Sequence, residues 1–490
     1  MRRRWNIISA VCAVLAVAGL AYGGIRLARR AGSQQATSAA ACNPTPNSSV
    51  CLIPGLPDEQ GTATPLPDIA LALSPTSTAT VPGSEAGETP APTATAIPTL
   101  QLPAAARTPT SAPLVLLAGP YLGEVTGWTI AVSWVTRAPG AFVVRYGLPG
   151  GPRRESAATS IPSPAGYWHA AVLTGLEPGT AYRYTIAAGD GQAASPELAV
   201  TTAPPAGTDH FAFLVLGDSR PGDRVTAQPS AGARKVAALV ATERFSLALH
   251  AGDMVAEGGV CSGELSGWQQ YLRAYFDLFG GTLGRAPFYV VPGNHEFAGG
   301  SCGYDIYTTV FALPRNAPPG DEEEYYSFDW GNAHFAALDS YADLAAGSAQ
   351  YTWLERDLAS TTQRWKFVFF HEPVYSSGEH GPTLAEQRAW VPLFEKYGVD
   401  VAFAGHDHIY ERTCPILQGA CTTVEKGGVV YLITGGAGAP LYDTRGGWFS
   451  LVRATVNHYL TVEVRGCALY FTATDGDGNV VDRYELDRCG

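Results

Sequence analysis

A chain of 490 residues exceeds one ordinary domain and implies two or three. Its net charge of -12, from 44 acidic and 32 basic residues, argues against a nucleic-acid polymer as partner, since such a binder needs a basic face. Small anionic substrates stay open, because a bound cation reverses the local field.

Residues Trp5 to Ile25 are apolar or small and are flanked by Arg2, Arg3 and Arg4 on one side and by Arg26, Arg29 and Arg30 on the other. The run is long enough for a membrane-spanning helix of roughly 20 residues, and a cleaved signal peptide is the alternative. Residues 1–30 are therefore expected to be a signal peptide or membrane anchor, with the cell membrane as a partner through this segment. Residues 31–113 are rich in Pro, Thr, Ala and Ser with few aromatics, and read as a disordered linker that cannot bury enough apolar surface to offset its ordering entropy. Apart from Cys12, the cysteines form an even set: Cys42, Cys51, Cys261, Cys302, Cys414, Cys421, Cys467 and Cys489. Neighbour pairing gives four bridges, although spacing leaves the connectivity open. With no CxxC pair present, export to an oxidising compartment is the simpler account, and the chain is expected to be extracytoplasmic, membrane-anchored or secreted.

Alternating strands follow the linker. Trp128 to Thr136, Ala141 to Tyr146, His169 to Leu173 and Tyr182 to Ala187 are separated by Gly/Pro turns, which indicates a β-sandwich over 114–204. Trp134 and Tyr182 read as framework residues of its core. Ala203-Pro204-Pro205-Ala206-Gly207 then marks a boundary, and residues 208–490 form the second folded region.

That region repeats one pattern. Phe211 to Leu216 ends at Gly217-Asp218-Ser219-Arg220. Phe245 to His250 ends at Gly252-Asp253, and Pro287 to Val291 at Gly293-Asn294-His295-Glu296. Trp365 to Phe370 ends at His371, and Val399 to Ala404 at Gly405-His406-Asp407-His408. Ala231 to Thr242 is helical in character, and the chain from Ser450 to Leu486 is mostly strand-like. Each polar motif thus lies just beyond an apolar strand, where α/β sheets place ligand sites.

Two carboxylates, an amide and three imidazoles make the donor set of a dinuclear metal centre. A shared carboxylate can hold two ions about 3.5–4 Å apart while neutral donors complete the shells. Asp253 is the natural bridge, with Asp218, Asn294, His371, His406 and His408 as terminal ligands. Singly these motifs are weak signals; in this order, each after a strand, they are strong.

The same motifs, with Tyr326-Ser327-Phe328-Asp329-Trp330-Gly331-Asn332-Ala333-His334-Phe335 and Ile409-Tyr410-Glu411-Arg412, resemble the calcineurin-like metallophosphoesterases, specifically the purple acid phosphatase branch. The resemblance implies a multidomain chain: an N-terminal all-β, fibronectin type III-like sandwich, then an α/β four-layer catalytic domain in which a β-sandwich is flanked by helices. It implies hydrolysis of phosphate monoesters with two metal ions, Fe, Zn or Mn, as cofactors. Metal one takes Asp218, Asp253 and His408; metal two takes Asp253, Asn294, His371 and His406. His295 resembles the histidine that contacts phosphate and protonates the leaving oxygen, and His380 a second substrate histidine. The expected partner is a small phosphorylated substrate, and no protein partner is evident.

Two positions depart from the branch. Ala256 stands where the branch has a tyrosine ligand, which puts the iron-tyrosinate colour in doubt. Arg220 stands where the branch has glycine and the wider superfamily often has a histidine ligand. A guanidinium suits a phosphate clamp better than a metal shell, and nothing near Arg220 in the sequence gives it a reason to be buried. A phosphodiesterase of the same fold, and a surface binding or scaffold protein with a decayed site, are the alternatives. Gly435-Gly436-Ala437-Gly438 lacks the helix and later acid of a nucleotide fingerprint and reads as a loop near the site.

Overall fold

Two four-stranded antiparallel sheets open the described part of the chain. The computed structural model describes residues 116–224 and 226–489. One sheet joins Leu116–Val125, Ile130–Thr136, Gly166–Leu173 and Thr159–Ser163; the other joins Arg154–Ala157, Phe142–Gly147, Ala181–Ala188 and Leu198–Thr201. Apolar residues at every second position send one face of each sheet inward. Trp134, Val144, Tyr184 and Ile186 are fully buried there. The Trp134 ring meets Phe142 of the opposite sheet edge-on at 5.9 Å and stacks on His169 at 5.4 Å. Tyr182 is also buried, so both framework residues lie in the core.

This β-rich domain is tied to the next one by hydrogen bonds between buried groups. Tyr121 Oη donates to Val310 O at 2.6 Å and Tyr184 Oη to Gly284 O at 2.7 Å. In the reverse direction Tyr289 Oη donates to Val125 O at 3.0 Å.

The second domain is a sandwich of two mixed sheets. The six-stranded sheet runs Phe288–Val290, Leu247–His250, His210–Leu216, His458–Arg465, Ala468–Asp475 and Val480–Asp487. The seven-stranded sheet runs Tyr326–Trp330, Ala333–Ala337, Trp365–Phe370, Val401–Ala404, Val430–Thr434, Tyr410–Thr413 and Ser450–Ala454. Their inner faces interlock through Phe213, whose ring lies 5.2 Å from both Phe335 and Phe367. Helices Ala349–Ser360 and Leu384–Tyr397 cover the outer face of the seven-stranded sheet, with Leu354, Leu358, Trp390 and Phe394 packed against Val368 and Phe370. Ala231–Val240, begun by Ser230 accepting from Ala233 N, packs Val236 and Val240 beneath the six-stranded sheet. An N-terminal β-rich domain followed by helices flanking a β-sandwich is the architecture expected from the resemblance.

Three disulfides close loops of this fold: Cys261–Cys302, Cys414–Cys421 and Cys467–Cys489. These follow the neighbour pairing. Cys42, Cys51, the linker and the N-terminal segment lie outside the described residues. The expected membrane partnership is corrected. Among the described residues no helix is long and apolar enough to cross a membrane, and Trp5 to Ile25, on which that expectation rested, lies outside them.

Candidate metal centre

Parallel strands set the site. His210–Leu216, Leu247–His250 and Phe288–Val290 run parallel in one sheet, as do Trp365–Phe370, Val401–Ala404 and Val430–Thr434 in the other. The loop after each strand turns over the same end of the sandwich. Asp218, Asp253 and Asn294 come from the first sheet, His371, His406 and His408 from the second. Three of these residues, Asp218, Asp253 and His406, hold positive φ of 59°, 58° and 69°. Non-glycine residues there carry strain of about 1–3 kcal/mol each, which a fold sustains where side-chain aim matters. The adjacent glycines have a steric reason. A Cβ on Gly252 would meet His371 Nδ1 at 2.7 Å, and one on Gly405 would meet Ala251 O at 2.8 Å and press on Asp218.

The six side chains converge. On one side, His371 Nε2 lies 3.1 Å from Asn294 Oδ1, 3.2 Å from His406 Nδ1 and 3.4 Å from Asp253 Oδ1. His371 Nδ1 is 2.7 Å from Ala251 O, which can only accept. The ring proton therefore sits on Nδ1, and Nε2 turns a lone pair toward the two oxygens. A proton on His406 Nδ1 would serve one of these contacts, whereas a cation among the four atoms serves all of them. On the other side, Asp218, Asp253 and His408 bring donor atoms within 4.8 Å of one another. His408 Nδ1 lies 2.5 Å from Pro440 O, so its Nε2 presents a lone pair to Asp218 Oδ1 at 3.4 Å. Lone pairs aimed at buried oxygens repel unless a cation joins them. The residues present fit a metal ion.

Electrostatics agree. Burial pushes the Asp218 carboxyl well above the usual carboxylate range. Burial also opposes ionisation of Asp253, yet His371, His295 and Arg220 together hold it at about 2. Burial lowers His406 to about 2 and, with Arg220 beside it, His408 to about 4. Neutral imidazoles beside an ionised carboxylate are the protonation states that metal ligation requires.

Residues outside the donor set frame it. Glu296 accepts from Asp253 N at 2.8 Å, Met254 N at 2.9 Å and Gly293 N at 2.6 Å, locking the Asp253 and Asn294 loops together. Asp407 accepts from His380 N at 2.9 Å and Gly381 N at 3.1 Å. Tyr442 stacks on His408 with ring centroids 4.0 Å apart. No sequence motif pointed to Tyr442, and Glu296 and Asp407 appeared only as parts of motifs, without a role. The 435–438 loop does lie against the site: Ala437 N donates to Gly217 O at 3.0 Å.

The other expected site residues surround the donors. His295 Nδ1 bonds Ala256 O at 2.6 Å, which leaves Nε2 3.9 Å from Asp253 Oδ2. The exposed His380 ring lies 4.3 Å from the His406 ring. Arg220 differs from expectation. Its side chain is only 12% exposed, and its Nε sits 3.1 Å from Asp253 Oδ2. Ala256 is fully buried and offers no donor side chain.

Residues 211–410 match the calcineurin-like phosphoesterase family model, and residues 121–202 match the N-terminal domain of purple acid phosphatases. The chain therefore carries a calcineurin-like metallophosphoesterase fold behind a purple-acid-phosphatase-type N-terminal domain. Among its relatives, "Probable inactive purple acid phosphatase 1" of Arabidopsis thaliana is 29% identical, over 61% of this chain and 56% of that protein. The purple acid phosphatase of Glycine max is 26% identical, over 64% of this chain and 71% of that protein. The chain spans about half the length of several relatives it matches. The solved purple acid phosphatase PPD1 from yellow lupin seeds superposes with a TM-score of 0.66 at 22% identity, covering 75% of this chain and 74% of that one. That likeness speaks for the fold.

Proposed function

We propose that this protein hydrolyses phosphate esters at a two-metal centre, with monoesters as the preferred class and Fe, Zn or Mn as the ions. The observation that carries the reading is the convergence of imidazole lone pairs on carboxylate and amide oxygens from five strand ends. Asn294, His371, His406 and Asp253 would hold one ion; Asp218, His408 and Asp253 would hold the other. Ions in such a site offset charge on phosphoryl oxygens and lower the pKa of water.

The remaining steps belong to the chain. Arg220 reaches Asp253 from the Asp218 loop and is shaped to bind two phosphoryl oxygens at once. Its fixed charge favours a dianionic monoester over a monoanionic diester. His295, oriented through Nδ1 by Ala256 O, presents Nε2 to the leaving oxygen and passes a proton there. His380 lies on the open side, where the leaving group would exit. Three disulfides among the described residues support export to an oxidising compartment.

Two observations favour a second reading, binding without turnover. Ala256 removes one metal donor, and Arg220 occupies the shared carboxylate. Metal analysis of the purified chain, with hydrolysis of matched aryl mono- and diesters, separates these readings. Two ions and monoester turnover are expected. A diester preference above about tenfold, or 1.4 kcal/mol, reverses the substrate class. Absence of both ions and turnover overturns the hydrolase reading.

A further inference from the structure

The two oxygens of Asp253 are not equivalent. Oδ1 faces the Asn294, His371 and His406 side, 3.4 Å from His371 Nε2, and accepts from His295 N at 3.0 Å. Oδ2 is taken by the Arg220 guanidinium at 3.1 Å, with His295 Nε2 3.9 Å away, while Asp253 also belongs to the cluster with Asp218 and His408. The contact is anchored twice, because Arg220 N also donates to Asp253 O at 3.0 Å. Both partners are withdrawn from water, at 12% and 1% side-chain exposure, so the pair is little screened.

The Asp218 and His408 side has the poorer donor set. It offers Asp218, His408 and one share of Asp253, while Ala256 contributes nothing. The opposite side offers four converging donors, and among the described residues no arginine or lysine pairs with Asn294, His371 or His406. Arginine cannot answer a rising positive field by losing its proton. It can only move.

We infer that Arg220 holds the place of the second cation. The Asn294, His371 and His406 side loads first, and the Asp218 and His408 side loads only by displacing the guanidinium from Asp253. Once displaced, the guanidinium is free to pair with a phosphoryl group, so one residue links metal loading to substrate capture. This rests on the metal-site reading above, and it makes the chain most stable with one ion until the second reaches high concentration.

Titration calorimetry with Zn²⁺ or Mn²⁺ tests it, together with ion counts after gel filtration, on the full chain and on Arg220→Met. The unaltered protein is expected to retain one ion tightly and to bind a second at least tenfold more weakly. Arg220→Met is expected to tighten the second step at least tenfold and leave the first unchanged. Arg220→Gln carries the same expectation if the methionine variant does not fold. Two equal tight sites in the unaltered protein, or an unchanged second step in the neutral variants, overturn the role of Arg220 while leaving the metal site intact. Failure of every protein to bind any ion overturns the metal-site reading itself.

Discussion

Two clusters of histidine and carboxylate lie in the second domain, and they are opposites. At the first, His334 sits between Asp329 and Asp357, with Nδ1 2.7 Å from one and Nε2 2.8 Å from the other. Burial alone would lower its pKa, but two carboxylate bonds overcome this and lift it to about 9. At the second, His371 and His408 each spend Nδ1 on a backbone carbonyl, and burial carries His406 and His408 down to about 2 and 4. The composition is the same; the partner of the second ring nitrogen differs. A carboxylate on both nitrogens keeps a proton and makes a structural tie. A carbonyl on one nitrogen frees the other for a metal.

Asp253→Ala should break the second cluster most severely. It removes the shared carboxylate, so both ions are lost and hydrolysis falls at least about a thousandfold, near 4 kcal/mol of barrier. Metal analysis and turnover on an aryl monoester check this. Asp357→Ala, at the first cluster, should do the reverse. It leaves metal content and turnover intact and lowers stability by about 3 kcal/mol, because a buried charge loses the more buried of its two partners. If Asp357→Ala emptied the metal site, the two clusters would not be independent.

The pH dependence of stability should also have opposite signs. His334 is raised to about 9 in the folded chain, above an unfolded value near 6.5. Its contribution, about 3 kcal/mol, is fully present below about 6.5 and is lost as pH rises through about 9. His406 and His408 are lowered in the folded, metal-free chain. Above about 6.5 they are neutral in both states and add no pH-linked term, and they count against folding as pH falls from there toward their folded values. Thermal melts across pH 4 to 10, with and without chelator, should show the alkaline loss in both states and the acid loss altered by metal. Asp329→Asn should flatten the alkaline limb. An alkaline limb unchanged in that variant would assign it elsewhere.

Much of this was legible in the sequence, because apolar strands ending in Gly-Asp, Gly-Asn or Gly-His carry their own spacing. Asp218, Asp253, Asn294, His371, His406 and His408 each follow a strand, and the strand Trp365–Phe370 has the bounds expected of it. Less legible was whatever depends on contacts between distant loops. Arg220 meets Asp253 across 33 residues, and no local pattern records that pairing. Glu296 frames the site through backbone N–H groups, which a motif does not display. The Leu384–Tyr397 helix carries Pro392 within it, and the turn at Tyr271–Phe276 is π-helical, so neither shows a clean 3.6-residue period.

The smallest expected effect is spectroscopic, and it sharpens the comparison at Ala256, where the resemblance led to the expectation of a tyrosine. Ala256 is fully buried, its N–H is held by Gln270 Oε1 at 3.1 Å, and its carbonyl is held by His295 Nδ1 at 2.6 Å. The loop has no phenol to offer and no slack to bring one in. Iron-loaded protein should therefore lack an intense visible band. Tyr442 is the residue to test, because its ring lies 4.0 Å from that of His408 and its phenol is raised by burial within reach of the Asp218 and Asp253 charges. Stacked face to face, it braces the His408 ring, and Tyr442→Phe keeps that stack. The variant should leave both spectrum and metal content unchanged. A strong band in the unaltered protein that vanished in Tyr442→Phe would show that this phenol, 34 residues beyond His408, had taken over the missing ligand's place.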